Sequence, residues 1–212
     1  MKTDDLIAML ANDADAVAPQ VWRQRYLMAM SAGLAGAVLL MLSLLGIRSD
    51  IAAAAQLPMF WVKLAFPAAL ATGALLAALR LSRPGIALGR VGTLLAAPVL
   101  AIWVLAGLAL LRAPEDAAML VWGETWAACL VNVPLLSVPA FIALFMVMKT
   151  LAPVRPVAAG AAAGLLAGSL AAIIYSLHCP ELAAPFIGLW YPLGMLIPAA
   201  AGAAIGPRLL RW

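Results

Sequence analysis

Long apolar runs dominate the chain, and short polar stretches interrupt them at regular intervals. Six such runs fall near residues 26–47, 60–80, 91–111, 127–148, 157–177 and 187–206. Each holds about 20 residues, enough for a helix to cross about 30 Å of hydrocarbon. The interruptions are Arg48-Ser-Asp50, Arg80 to Arg90, Arg112 to Trp126, Lys149 to Pro156 and His178 to Phe186. Connections this short are typical of antiparallel neighbours. The pattern predicts an all-α, polytopic membrane protein with six transmembrane helices spanning 26–206. A segment of residues 1–25 precedes them and a tail of residues 207–212 follows.

Within the runs, Gly160, Gly164 and Gly168, then Gly202 and Gly206, recur four apart and read as ridges that let helices approach closely in lipid. Pro67, Pro98, Pro134, Pro139 and Pro198 lie inside helices, where each removes a backbone donor.

Composition agrees with a bilayer as solvent: 67% of residues are hydrophobic and 10% charged, too apolar for a water-soluble core. The net charge of +4 is carried by single basic residues at the ends of apolar runs rather than by a patch, which argues against direct nucleic-acid binding. These residues read as topology signals. With the N-terminus inside, Lys2, Arg23, Arg25, Arg80, Arg83, Arg90, Lys149, Arg155, Arg208 and Arg211 are inside, 10 of the 13 Lys and Arg, leaving Arg48, Lys63 and Arg112 outside. This asymmetry predicts both termini in the cytoplasm. Trp61, Trp122, Trp126 and Trp190 then fall near the outer interface, where indoles are favoured.

The first 25 residues differ in kind. Thr3 caps a short helix whose first turn carries Asp4 and Asp5, and Leu6, Ile7 and Leu10 form one apolar edge. A helix of two or three turns is marginal alone, so the segment either docks on a protein partner or is a solvated tail.

Reactive chemistry concentrates in Tyr175-Ser-Leu-His-Cys-Pro-Glu181, which holds the only histidine, His178, and one of the two cysteines, Cys179. A thiol beside an imidazole and a carboxylate can be oxidised or can bind a soft metal; the same residues also read as an ordinary helix-stopping turn. The other cysteine, Cys129, is placed within a turn of the outer end of the fourth helix, so both thiols are expected on one side, with Cys179 the more accessible. Asn132, three residues on, should look inward. Cys129, Cys179, His178 and Glu181 or Glu124 could supply four ligands, but no paired Cys-x-x-Cys or His-x-x-x-His demands a permanent metal. Enzyme signatures are missing, with no phosphate loop and no second histidine, so an enzyme and a bound cofactor are not expected. No charge is placed near the centre of a membrane segment, which counts against a transporter, although a small transporter or channel for a metal or small molecule is the alternative.

The sequence resembles the NrsF family of six-helix membrane anti-sigma factors over nearly its whole length. The likeness is carried by Met1-Lys-Thr-Asp-Asp-Leu-Ile7, Arg83-Pro-Gly85, Cys129, Ala152-Pro153, Tyr175 to Glu181, Trp190-Tyr191 and Gly206-Pro-Arg-Leu-Leu-Arg-Trp212. The resemblance implies a negative regulator in a bacterial inner membrane. Such a regulator holds an extracytoplasmic-function sigma factor until an oxidant or heavy metal releases it, and Cys129 and Cys179 take part in sensing. Apart from the resemblance, the neighbours of Cys179 are expected to tune such a response, His178 by holding the thiolate when protonated and Glu181 by opposing it or donating a ligand.

Overall fold

The computed structural model describes residues 19–82, 86–151 and 153–211, with side chains from Gln24 onward. The helices are α1 (Pro19–Leu44), α2 (Ile51–Ala54), α3 (Pro58–Leu81), α4 (Val91–Arg112), α5 (Ala117–Trp122), α6 (Trp126–Lys149), α7 (Pro156–Tyr175) and α8 (Ala184–Leu209). Six of them are long and apolar enough to cross a membrane, as the hydrophobic pattern predicts, and no strand occurs among the described residues. Proline punctuates the starts: Pro58 and Pro156 open α3 and α7, and Pro185 sits in the first turn of α8. Its missing N–H has no intrahelical partner there in any case. Pro67, Pro98, Pro134, Pro139 and Pro198 are carried inside helices that continue through them.

Two short helices, α2 and α5, are additions to the expected pattern, lying in what reads as loop. At the edges, α1 begins at Pro19 rather than residue 26, and α8 runs to Leu209, taking in part of the expected tail. The apolar edge of the N-terminal segment, with Thr3, Asp4, Asp5, Leu6, Ile7 and Leu10, lies outside the described residues, as does Arg83-Pro-Gly85.

The packing order corrects the expectation that chain neighbours are space neighbours. Helix α7 is the hub, packed against α8 most extensively and also against α3, α6 and α1, while α4 rests on α3 and α8. Helices α1 and α3 do not pack extensively on each other, nor do α4 and α6. The hub position follows from side-chain size. Nine alanines and glycines of α7, among them Gly160, Gly164 and Gly168, are buried, and a helix surfaced with small residues admits several neighbours. Gly160 faces the Gly202 carbonyl and Gly164 the Pro198 carbonyl, so a methyl at either would run into backbone.

The core divides into two clusters. One surrounds Cys129, Tyr175, Cys179, Phe186 and Tyr191; the other surrounds Tyr26, Ala78, Leu144, Met148 and Leu210. They mark the two ends of the bundle, here the Cys179 end and the Tyr26 end.

Candidate functional site

At the Cys179 end, α7 stops at Tyr175 and residues 176–183 form a turn before α8. The stop has a local cause, because Pro180 cannot extend a helix and the residue before proline is pushed towards extended backbone. Several other parts of the chain converge on this turn, and two of them, through Lys63 and Arg48, hold it by its carbonyls.

Lys63, near the start of α3, points inward with its ammonium on the carbonyls of Cys179 (2.6 Å) and Glu181 (2.7 Å). It is fully buried, and its Nζ lies 5.8 Å from the centroid of the Tyr191 ring. Arg48, after α1, donates to the carbonyls of Cys179 and Pro180, each at 3.3 Å. It also holds Asp50 in a two-toothed ion pair at 2.7 Å on both teeth. The hydrogen bonds from Arg48 hold the Asp50 carboxyl below its ordinary range, and those to Asp50 raise the guanidinium above its own. Cys179 O thus accepts from two cations. Hydrogen bonds to charged groups are worth about 1.5–3 kcal/mol each, and no side-chain carboxylate contacts the Lys63 ammonium among the interactions of the described residues.

His178 and Glu181 tie the turn sideways. The His178 Nδ1 is 2.9 Å from the carbonyl of Gly46, which turns the chain after α1 with φ +75°. Glu181 accepts the Glu124 backbone N–H at 2.9 Å and the Thr125 hydroxyl at 3.4 Å. Gly123 makes the latter approach feasible. Its φ is +55°, and a side chain there would meet the Glu181 carboxylate and the Phe186 ring.

Thr125 connects the two cysteines. Its carbonyl accepts the Cys129 N–H at 3.0 Å, and its hydroxyl lies 4.0 Å from Cys179 Sγ. Both cysteines are free, fully buried and part of one apolar cluster. The enclosure of Cys179 corrects the expectation of a readily accessible thiol: the residues around it are packed, and its carbonyl is anchored from two sides. Tyr175 and Tyr191 flank the site, with the Ser176 hydroxyl 3.3 Å from Tyr191 Oη and ring centroids 6.2 Å apart. Asn132 turns inward as expected, towards the Tyr175 hydroxyl. Above them Trp122, Trp126 and Trp190 cluster with centroids 5.1–5.4 Å apart. Trp190 is buried, its Nε1 donating to Val121 O at 2.7 Å, so of the four interfacial indoles expected it is the one turned inward.

The four residues expected to sense therefore meet in one place, but not as a ligand shell. His178 is engaged with Gly46 and Glu181 with Glu124 and Thr125. Among the described residues no group of three or more His, Cys, Asp and Glu is arranged to hold a metal. Sequence reasoning missed Lys63 and Arg48, treating both as topology charges. A signal for Lys63 was present: Phe60, Lys63, Phe66, Pro67, Leu70 and Ala74 follow the three-and-four spacing of one helix face, and that face is buried.

A family model described as "Negative regulator of sigma F" matches residues 10–212. The chain is 54% identical over 213 residues to the "Probable anti-sigma-F factor NrsF" of Azospira oryzae, covering all of both chains. It is 39% identical over 217 residues to the "Anti-sigma-F factor NrsF" of Caulobacter vibrioides, again covering all of both. No solved structure matches it. A six-helix membrane bundle related over its whole length to such proteins is of the class of membrane-embedded negative regulators of transcription. It belongs to the NrsF family.

Proposed function

We propose that the chain is an anti-sigma factor of the bacterial inner membrane, with both termini in the cytoplasm. It holds an extracytoplasmic-function sigma factor there and releases it when Cys129 and Cys179 are oxidised or capture a soft metal. The relatives' names support the sigma-factor partner, and the family's own description supports the negative sign of control. One observation carries the sensing role: the only two cysteines, 50 residues apart along the chain, share one buried cluster and are bridged by Thr125.

Oxidation would join the two sulfurs, pass two electrons to the oxidant and release two protons. Moving the population from 1:99 to 99:1 requires about 5.5 kcal/mol of preference for one arrangement, within reach of a disulfide or a two-thiolate metal complex. Residues 1–25, with Thr3, Asp4, Asp5, Leu6, Ile7 and Leu10, are the docking segment in this reading, since the rest of the chain is nearly all membrane helix. Lipid is the surrounding solvent, and the chain acts without a cofactor or catalysis of its own.

The test is a transcriptional reporter for the released sigma factor in cells carrying Cys129→Ser, Cys179→Ser or both, exposed to oxidant and to cadmium. Comparable loss of induction in all three variants is the expected result. Full induction in the double variant would refute thiol sensing.

A further inference from the structure

The Lys63 ammonium is the most buried charged group described in the bundle, and the thiol chemistry alone gives it no task. It comes from α3, a helix that contributes neither cysteine, yet two of its three donors are spent on the backbone of the Cys179 turn, on Cys179 O and Glu181 O. Glu181 O lies two residues beyond Cys179 O, so the ammonium spans the turn and fixes its curvature. Burying an ammonium without a carboxylate carries a large desolvation cost, and an apolar side chain of like length would fill the same space without it. What sets a lysine apart at this place is therefore the bonds it makes rather than the volume it occupies.

The far end of α3 is held as specifically. Ser82, just past Leu81, donates its hydroxyl to Ala78 O at 2.7 Å, which leaves Tyr26 as donor in the 2.7 Å contact between the two hydroxyls. Tyr26 is buried, on α1, next to the segment assigned above to docking. A single helix, about 27 Å long between Lys63 and Leu81, thus grips the thiol-bearing turn at one end and the start of α1 at the other.

We propose that Lys63 is a positioning residue for the thiol site: by clamping Cys179 O and Glu181 O it keeps the turn closed over the Cys179 thiol and ties any opening of that turn to α3. This rests on the reading of Cys179 as a sensor. In the closed arrangement the thiol is shielded, and a reagent reaches it only when the turn lets go of Lys63. The strength of the clamp therefore sets how readily the thiol reacts, and rupture of the clamp frees α3 to shift against α1.

The experiment measures the rate at which N-ethylmaleimide alkylates Cys179 in isolated membranes. The background is Cys129→Ser, so that one thiol is read, and lysine, methionine and glutamine are compared at position 63. Methionine is unbranched and of like length but cannot donate; glutamine keeps one amide donor group. The clamp predicts alkylation about tenfold faster or more with Lys63→Met, since tenfold corresponds to losing one ordinary charged hydrogen bond, and an intermediate rate with Lys63→Gln. A residue that only fills space would show methionine indistinguishable from lysine, and that result, with the variant inserted at normal abundance, overturns the proposal. Should Lys63→Met fail to accumulate, Lys63→Gln decides alone, an unchanged rate refuting the clamp.

Alkylation does not involve the sigma factor, so the two readings fail separately. Faster alkylation together with full stress induction in the double cysteine variant would keep the clamp and sink thiol sensing. In cells with both cysteines intact, Lys63→Met is expected to raise the unstressed reporter; a reporter that stays silent while alkylation accelerates overturns the coupling through α3.

Discussion

Gly202→Ala tests the packing that holds α7 against α8. The Cβ of an alanine at 202 would fall on the Gly160 carbonyl, and one at 160 on the Gly202 carbonyl, so the two positions oppose each other across one crossing. The obstacle is backbone, which cannot swing aside as a side chain can, and the helices must move apart. Overpacking of this sort costs about 1–3 kcal/mol. For a chain of this length each kcal/mol corresponds to about 2–4 °C in unfolding temperature. The double variant Gly160→Ala/Gly202→Ala should lose less than the sum of the two singles, because one separation relieves both clashes. Gly107→Ala is the control: on α4, nothing lies within 4 Å of the added methyl, and the change is expected to be neutral or to stabilise by up to about 1 kcal/mol through helix propensity. The assay is thermal unfolding in mild detergent followed by tryptophan fluorescence. Equal unfolding temperatures for Gly202→Ala and Gly107→Ala would refute the close approach of α7 and α8.

Three further predictions follow from other parts of the chain. On the proposed docking role of residues 1–25, replacing Leu6 and Leu10 with Asp should release the partner constitutively; a normally inserted variant that still retains the sigma factor in a membrane pull-down refutes docking through those leucines. Asp50, held below the usual carboxylate range by Arg48, stabilises the fold above its unfolded pKa, and this contribution is lost as pH falls through the depressed folded value; Asp50→Asn should abolish that part of the acid dependence in detergent unfolding, and an unchanged acid profile would count against the pair. Trp190→Phe deletes the bond to Val121 O and should cost about 0.5–1.5 kcal/mol in thermal unfolding, leaving the helix content by circular dichroism intact.

Much of the architecture was legible in the sequence, because crossing a bilayer imposes a length and an apolar composition that a single segment must satisfy alone. Six runs and the glycine ridges on α7 and α8 could be read one segment at a time for that reason. The short helices α2 and α5 escaped notice since neither is long enough to leave a periodic signature. The adjacency of helices escaped too. In a bundle, which helix touches which depends on the sum of side-chain sizes along whole faces, and α7 became the hub only because alanine and glycine left room on several sides of it at once.

The site divides the same way. Cys129, Cys179, His178 and Glu181 stand out as rare residue types in an apolar chain, so their identity as candidates needed no fold. What they face did. A lysine near the end of a membrane helix has two low-energy fates, extending to the interface or turning in to bond with carbonyls, and its immediate neighbours permit both. Only the approach of the 176–183 turn to α3 supplied Lys63 with the Cys179 and Glu181 carbonyls, and only the exit of α1 brought Arg48 to the same turn. The sequence alone thus determined that this is a six-helix membrane protein with two thiols. Tertiary structure decided that those thiols are enclosed and that two cations bond the carbonyls of the Cys179 turn, because desolvated charges take their partners from whichever backbone the packed helices bring within reach.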